Sequence, residues 1–466
     1  MVGVMNDQAA PDTAAPQGLE PPADLMEVNP ALWPMGTTRD EDGCLVISGH
    51  RVDDLLAQFG SPLYVIDEED FRARARGFVT SFPGWHVSYA SKAFLCRTVA
   101  RWVDQEGLNL DVCSGNELAV ALAAGFPPER IGMHGNNKSI EELDYAITSG
   151  VGRVIVDSFE EISRIETLAS AAGVHVSVLV RVTTGVEAHT HEYIATSCED
   201  QKFGFSIHSG QAMKALLACA DAPHIQLRGV HSHIGSQIFD TEGFQVAARR
   251  AMALIAHFRD LRSVHLEELN LGGGFGIAYV PGDTPLTVSQ LHQDLSQIID
   301  EARTEYDLGP LSLAIEPGRA ICGPAGVALY TVGTVKPVEI GEGLSRTYVS
   351  VDGGMSDNIR TALYHADYTA VLADRGSHAP AMLSRVVGKH CESGDILVRD
   401  VYLPQDLHPG DRLAVPGAGA YARSMSSNYN HIARPAVIAV TEHRAHTIIR
   451  RETLADLLSL DIDSQA

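Results

Sequence analysis

Trp85-His-Val-Ser-Tyr-Ala-Ser-Lys-Ala-Phe94 decides how the rest of the chain is read. An apolar, β-branched run rises to Tyr89-Ala90, stops, and is followed almost at once by a lone lysine, Lys92. Further runs of the same kind come at Leu108–Val112, Ile131–Gly135, Val151–Val156, His175–Val182, Ile225–Gly235, Leu266–Gly273 and Leu311–Pro317. Their near-continuous apolar character suits strands of a parallel sheet buried on both faces. Ser114-Gly-Asn-Glu117, Ser139-Ile-Glu-Glu142 and Ser158-Phe-Glu-Glu161 read as capping boxes that start helices, and Gly125, Gly150 and Gly173 close them. This alternation predicts a (β/α)8 barrel of TIM type, whose active site lies at the C-terminal ends of the strands. Lys92 stands at such an end, where an amine can attack a carbonyl or hold a Schiff base. Taken alone it reads as a solvated surface lysine.

A barrel takes about 250 residues, and the chain has 466. Residues 1–35 contain six prolines, many alanines and no Lys or Arg, and are expected to form a mobile tail. Within 36–66, Leu45–Val52 and Pro62–Ile66 are expected to be strands that join a later β domain. The barrel then spans 67–325, and 326–466 reads as a mainly β domain. Its strands are expected at Val327–Val335, Thr347–Val351, Asp395–Tyr402 and Arg412–Val415, broken by Gly, Pro and Asp.

Composition narrows the class. No run of about 18 apolar residues is present for a membrane span. The first residues lack the basic segment and apolar core of a signal peptide, so a cytoplasmic protein is expected. The seven cysteines are scattered without a C-x-x-C pair, so neither a disulfide framework nor a metal site is indicated. A net charge of −24 argues against nucleic acid and anionic membrane as partners.

The last two strand ends point to a cofactor. Asn270-Leu-Gly-Gly-Gly-Phe-Gly276 follows strand seven, and Glu316-Pro-Gly-Arg319 follows strand eight. Glycines let backbone N–H groups approach a phosphate, and barrels frequently bind phosphate after strands seven and eight. A strand-one lysine together with such a cup implies pyridoxal 5′-phosphate, bound through Lys92. Glu316 against the pyridine nitrogen would keep that nitrogen protonated and the ring strongly electron-withdrawing, which decarboxylation requires. An ordinary ion pair of Glu316 with Arg319 is the plainer alternative.

Four longer stretches carry a family resemblance: 181–191 (Arg-Val-Thr-Thr-Gly-Val-Glu-Ala-His-Thr-His), Gln201-Lys-Phe-Gly-Phe205, His231-Ser-His-Ile-Gly-Ser-Gln237 and Val387-Gly-Lys-His-Cys-Glu-Ser-Gly-Asp395. From about Leu45 to Pro435 the chain resembles the diaminopimelate decarboxylases, pyridoxal-phosphate enzymes that pair an alanine-racemase-like barrel with a β domain. The resemblance implies decarboxylation of meso-2,6-diaminopimelate to L-lysine and carbon dioxide, the last step of lysine biosynthesis. It further implies that His233 stacks on the cofactor ring, and that Ser236, Gly273, Gly274, Gly318 and Arg319 hold the phosphate or its neighbours. Tyr421 would reach cofactor and substrate from the β domain, and Arg319, Arg360 and Tyr364 would take a substrate carboxylate. Arg360 and Tyr364, four apart in a helix-like stretch, would project from one face. Cys391 and Glu392 would enter the neighbouring subunit's site in a homodimer, the thiol returning a proton to Cα and the carboxylate meeting the distal ammonium. Each of these residues also has a plain structural reading: a satisfied histidine, a turn serine, a half-buried tyrosine, a small buried cysteine. A decarboxylase of a related basic amino acid or carboxylated polyamine, and a non-catalytic regulatory homologue, are the competing functions.

Overall fold

The computed structural model describes residues 20–186, 201–341 and 344–462. Every strand expected in the barrel is present: β1 (His86–Ala90), β2 (Asn109–Val112), β3 (Ile131–Met133), β4 (Arg153–Val156), β5 (Val176–Thr183), β6 (Ile225–His231), β7 (Glu268–Asn270) and β8 (Ser312–Ile315). Each pairs in parallel with the next, β8 pairs with β1, and the barrel is closed. A short strand, Phe205–Ser206, adds in parallel beside β5. The strands stop earlier than their apolar runs. His134-Gly135, Ser232–Gly235, Leu271–Gly273 and Glu316-Pro317 lie beyond the ladder, so the polar and glycine-rich tails of those runs form loops at the C-terminal mouth.

Ser114, Ser139 and Ser158 each accept the backbone N–H of the residue three further on. Only Ser139 and Glu142 form a reciprocal box. The Glu117 carboxylate instead accepts from Cys113 N at 2.6 Å and Ser91 Oγ at 2.9 Å. The Glu161 carboxylate accepts from Asp157 N at 2.9 Å and Lys138 Nζ at 2.6 Å. Two of the three glutamates thus leave the cap and tie the loops after β2 and β4 to their neighbours.

The β domain is built around the long strand Gly326–Gly341, paired antiparallel with Leu344–Val351, Arg412–Pro416 and Leu63–Asp67. Leu63–Asp67 joins that sheet as expected. Leu45–Ile47 does not: it forms a separate three-stranded sheet with Thr38–Arg39 and His50–Arg51. The chain turns into the helix Val52–Phe59 directly afterwards, which ends the strand before it could reach the larger sheet. Two backbone bonds, Leu45 N to Ala373 O at 2.7 Å and Gly376 N to Asp42 O at 2.8 Å, moor this small sheet to the β domain.

The N-terminal expectation is corrected in its second half. Residues 1–19 lie outside the described residues and 20–24 are exposed, but the stretch from Met26 to Pro34 packs onto the fold rather than forming a free tail. Leu32 and Trp33 are buried with Leu63, Val65, Val327, Leu329 and Ile438. Two isolated apolar side chains suffice as anchors without any periodic face. Trp33, 2% exposed, should cost about 3–5 kcal/mol when replaced by alanine. A scanning-calorimetry comparison of Trp33→Ala with the parent reads that loss as a lower Tm, and an unchanged Tm would return this segment to the status of a tail.

Candidate active site

Lys92 sits in a single 3-10 turn, Ser91–Ala93, immediately after β1. The turn is fixed from several sides. Tyr89 OH donates to Phe94 O at 2.8 Å, and Ala90 N donates to Pro317 O at 3.2 Å. From the β domain, Tyr421 N (2.9 Å) and Ser424 Oγ (2.8 Å) both donate to Ala93 O. Those bonds bring Tyr421 beside the barrel mouth. The Lys92 side chain itself is exposed in that mouth and makes no hydrogen bond or ion pair among the described residues. Its charge acts on Asp111, Cys113, His134 and His233, which lie at or just past the ends of their strands.

The glycines after β7 and β8 are required by close backbone approach. A Cβ on Gly273 would stand 2.1 Å from Glu316 O, and one on Gly274 would stand 2.5 Å from Gly235 O. Gly274 also has φ +111°, a backbone that favours glycine. A Cβ on Gly318 would press on Ala90 and Ala93 at 3.0–3.3 Å, directly against the Lys92 turn. Ser236 lies across the same cradle, its hydroxyl accepting from Arg319 Nη2 at 2.8 Å.

Beneath the cradle is Glu316. Its Oε1 accepts from Asn270 Nδ2 at 2.8 Å and lies 3.0 Å from His231 Nε2 and 3.5 Å from His134 Nε2. Glu316 makes no ion pair with Arg319, so the plainer reading of this carboxylate fails; Arg319 instead donates to Tyr279 OH at 2.5 Å and to Ser236. Burial by itself would raise the Glu316 carboxyl, but the imidazoles of His231 and His134 outweigh it and hold the group well below the usual carboxylate range. Asp111 moves the other way: burial, and next the Glu316 charge, push it well above its ordinary value. Burial lowers His134 to about 4 and lowers His231 as well. His233, lowered by burial and by the Lys92 and Arg181 charges, presents a neutral imidazole.

Above the cradle the β domain adds a cation–aromatic cluster. The Arg319 guanidinium lies over the rings of Tyr421 (4.7 Å) and Tyr279 (5.7 Å). Arg360 lies over Tyr279 (4.8 Å) and Tyr368 (5.5 Å) and donates to Tyr368 OH. Tyr279 therefore links the two arginines. Arg360 is buried, whereas Tyr364, on the same short helix Arg360–Tyr364, is 60% exposed and joins none of these contacts. Cys391 and Glu392 are likewise exposed, on the loop between Ala381–Val387 and Ile396–Pro404. That loop is rigidly built: Asp395 accepts from Met355 N at 2.6 Å and His390 N at 2.7 Å, and Cys391 N donates to Asn430 Oδ1 at 3.3 Å.

Asp111, His134, His231, Asn270 and Tyr279 were not singled out from sequence. His134 carries the signal that marked Lys92, a polar residue just past an apolar strand; Asp111 interrupts such a strand, and His231 lies inside a quoted motif. Glu187–His191 of the fingerprint 181–191 lie outside the described residues.

The donor set fits pyridoxal phosphate: a free amine, a glycine cradle with a serine and an arginine for phosphate, a neutral imidazole for the ring face, and a buried carboxylate for the ring nitrogen. Comparison agrees. Residues 68–323 match the family described as pyridoxal-dependent decarboxylase, pyridoxal binding domain. The diaminopimelate decarboxylase of Mycobacterium leprae is 51% identical over 455 residues, covering 97% of this chain and 96% of its own. The chain belongs to the diaminopimelate decarboxylase family. The Bacillus subtilis family member is 46% identical over 432 residues, 92% of this chain and 97% of its own. Among solved structures, the family member from M. jannaschii in co-complex with L-lysine has a TM-score of 0.85 at 30% identity, covering 93% of this chain and 99% of that one.

Proposed function

We propose that this chain removes the carboxylate at the D-centre of meso-2,6-diaminopimelate, giving L-lysine and carbon dioxide as the last step of lysine biosynthesis. One observation carries the reading: Lys92 and the buried Glu316 follow two paired barrel strands beside a glycine cradle, in a chain similar over nearly its whole length to diaminopimelate decarboxylases. When bound, pyridoxal phosphate supplies the electron sink for the pair left at Cα when the carboxylate bond breaks. The remaining work falls to side chains. Lys92 would hold the cofactor through its amine. Glu316 holds a proton at the ring nitrogen, His233 covers one ring face, and Gly273, Gly274, Gly318, Ser236 and Arg319 take the phosphate. Arg319 and Arg360, with Tyr421 beside them and Tyr364 approaching from outside, meet a substrate carboxylate bidentately or singly.

Cys391 and Glu392 belong, in this reading, to a second copy's site. Their joint exposure on a loop held stiff by Asp395 supports that, since a rigid loop can present a thiol and a carboxylate across a two-fold interface. Cys391 then returns the proton to Cα, and Glu392 pairs with the distal ammonium. No helix among the described residues is long and apolar enough to cross a membrane, and a cytoplasmic homodimer is the setting we propose.

Carbon dioxide release measured over a panel of diaminopimelate, ornithine, lysine and arginine tests the function. Release from diaminopimelate alone is expected, and preference for any other member would overturn the substrate. Glu316→Gln should lower kcat by roughly 10- to 100-fold, corresponding to about 1.5–3 kcal/mol for a charged hydrogen bond. Cofactor content, read from visible absorbance, should stay near that of the parent because Lys92 and the phosphate cradle remain. Unchanged kcat with lost cofactor would make Glu316 structural.

A further inference from the structure

Separate barrel strands deliver polar groups to one oxygen of Glu316. Asn270 ends β7, His231 ends β6, and His134 follows β3. All three meet Oε1, at 2.8, 3.0 and 3.5 Å respectively. Oε2 accepts no hydrogen bond among the described residues. His134 Nε2 also lies 3.5 Å from Asp111 Oδ1, near the end of β2, and the two imidazoles cross edge to face with centroids 5.2 Å apart. Every member of this group is buried. Yet His134 Nε2, both ring nitrogens of His231 and Asp111 Oδ2 lack a well-aligned hydrogen bond among the described residues. Buried polar atoms are nearly always satisfied where their role is only to support the core. A cluster held under-satisfied in the floor of a site points to work done on something that enters it.

We infer that His134 and His231 are positioning residues that pin one oxygen of the Glu316 carboxylate and so present the other to the ring nitrogen of pyridoxal phosphate. The inference rests on the functional reading above. Strand register explains the geometry: His231 pairs with Asn270, and Asn270 pairs with Ala314, two residues before Glu316. Register thus sets the ends of β6, β7 and β8 side by side, with Glu316 just beyond the last rung. The electrostatics agree in sign. Burial would favour a neutral Glu316, and the two imidazoles reverse that preference. Asp111 is pushed the other way, well above the ordinary carboxylate range, by burial and next by the Glu316 charge. Lys92, His233 and Arg181 face the same group from above and from β5, and Arg181 pairs with His231 in the ladder. Without the two imidazoles, Glu316 would keep its hydrogen bond from Asn270 but lose both the groups that favour its charge and those that fix its tilt.

The test uses holoenzyme reconstituted with pyridoxal phosphate labelled with 15N in the ring, comparing the parent with His231→Gln, His231→Leu, His134→Leu and the double leucine variant. The parent and His231→Gln, which retains an N–H donor, should show the resonance of a protonated ring nitrogen. The leucine variants should shift it toward the unprotonated position, most in the double variant. Each leucine variant should also lose about tenfold in kcat, the scale typical of groups that orient a ligand of a site, with KM unchanged. A protonated-ring resonance in the double variant, or an equal loss in His231→Gln and His231→Leu, would overturn the inference. Should His231→Leu not accumulate as folded protein, His134→Leu against His134→Gln gives the same decision. A parent enzyme that binds cofactor but releases no carbon dioxide from diaminopimelate would overturn the functional reading instead, and leave the ring-nitrogen result standing.

Discussion

Lys92→Ala is expected to lose about 10³-fold or more in turnover, within the range for removing a group that also transfers protons, while the protein stays folded. The fold should survive because the turn is fixed by its backbone and neighbours: Tyr89 OH on Phe94 O, Ser91 Oγ on Glu117, and Tyr421 N and Ser424 Oγ on Ala93 O. None of these bonds involves the Lys92 side chain. Turnover should fall because no other amine can take its place. Lys202 and Lys138 are the other described lysines on the barrel's strand-end loops: the Lys202 ammonium lies over the Phe203 ring at 4.7 Å, and the Lys138 ammonium is buried and already donates to Gly135 O, Ile155 O and Glu161 Oε1 at 2.6–2.8 Å. Freeing it would strand a buried charge, which is costly. Three measurements check the expectation: carbon dioxide release, Tm, and peptide mapping after borohydride treatment in the presence of pyridoxal phosphate. Parent-level turnover, or cofactor fixed by borohydride to a lysine elsewhere in the variant, would remove Lys92 from its assigned role.

The barrel was readable from sequence because its strands are buried on both faces, so β1 to β8 appear as apolar runs without alternation. The serines at 114, 139 and 158 then mark where each helix begins. What the glutamates three residues later would do was not readable. Glu117 and Glu161 are drawn to the Lys92 turn and to Lys138 by contacts that only the closed barrel creates. The separate sheet at Leu45–Ile47 escaped for a related reason: a strand's own pattern does not name its partner. Trp33 escaped because two anchoring side chains leave no periodicity to detect. In the site, Lys92 and Glu316 stood out as charges terminating apolar strands. His134 and His231 end strands in the same way, but a histidine among apolar residues reads equally as a satisfied core group. Their convergence on one carboxylate oxygen depends on closing β3, β6 and β8 around a common axis. Tyr279 left no trace at all, since its role is to lie between two guanidiniums that come from different parts of the chain.

Two inactive variants are expected to restore activity when they share a dimer. One is Lys92→Ala; the other carries Cys391→Ala and Glu392→Ala. The expectation follows from the arrangement of exposed groups. Cys391 and Glu392 project from a loop tied down by Asp395, and the neighbouring Tyr429 is exposed while stacking on His390 at 5.3 Å. Leu363 and Tyr364 are exposed on the helix Arg360–Tyr364, which Thr361 joins to Leu397 just beyond that loop at 2.9 Å. A face carrying a thiol, a carboxylate, two tyrosines and a leucine, all poised by rigid backbone, is suited to meet a second copy of the chain rather than water. If each site combines Lys92 from one protomer with Cys391 and Glu392 from its partner, isologous symmetry makes two such composite sites per dimer. Refolding equal amounts of the two variants together should make about half the dimers mixed by random pairing. In a mixed dimer one site inherits both defects and the other inherits neither. About a quarter of all sites should then regain the parent's turnover. Mass spectrometry of differently tagged chains establishes first that mixed dimers have formed. With mixing established, no recovery means that Lys92 and the Cys391–Glu392 pair serve the same chain's site, because every site would then retain one defect whichever partners met.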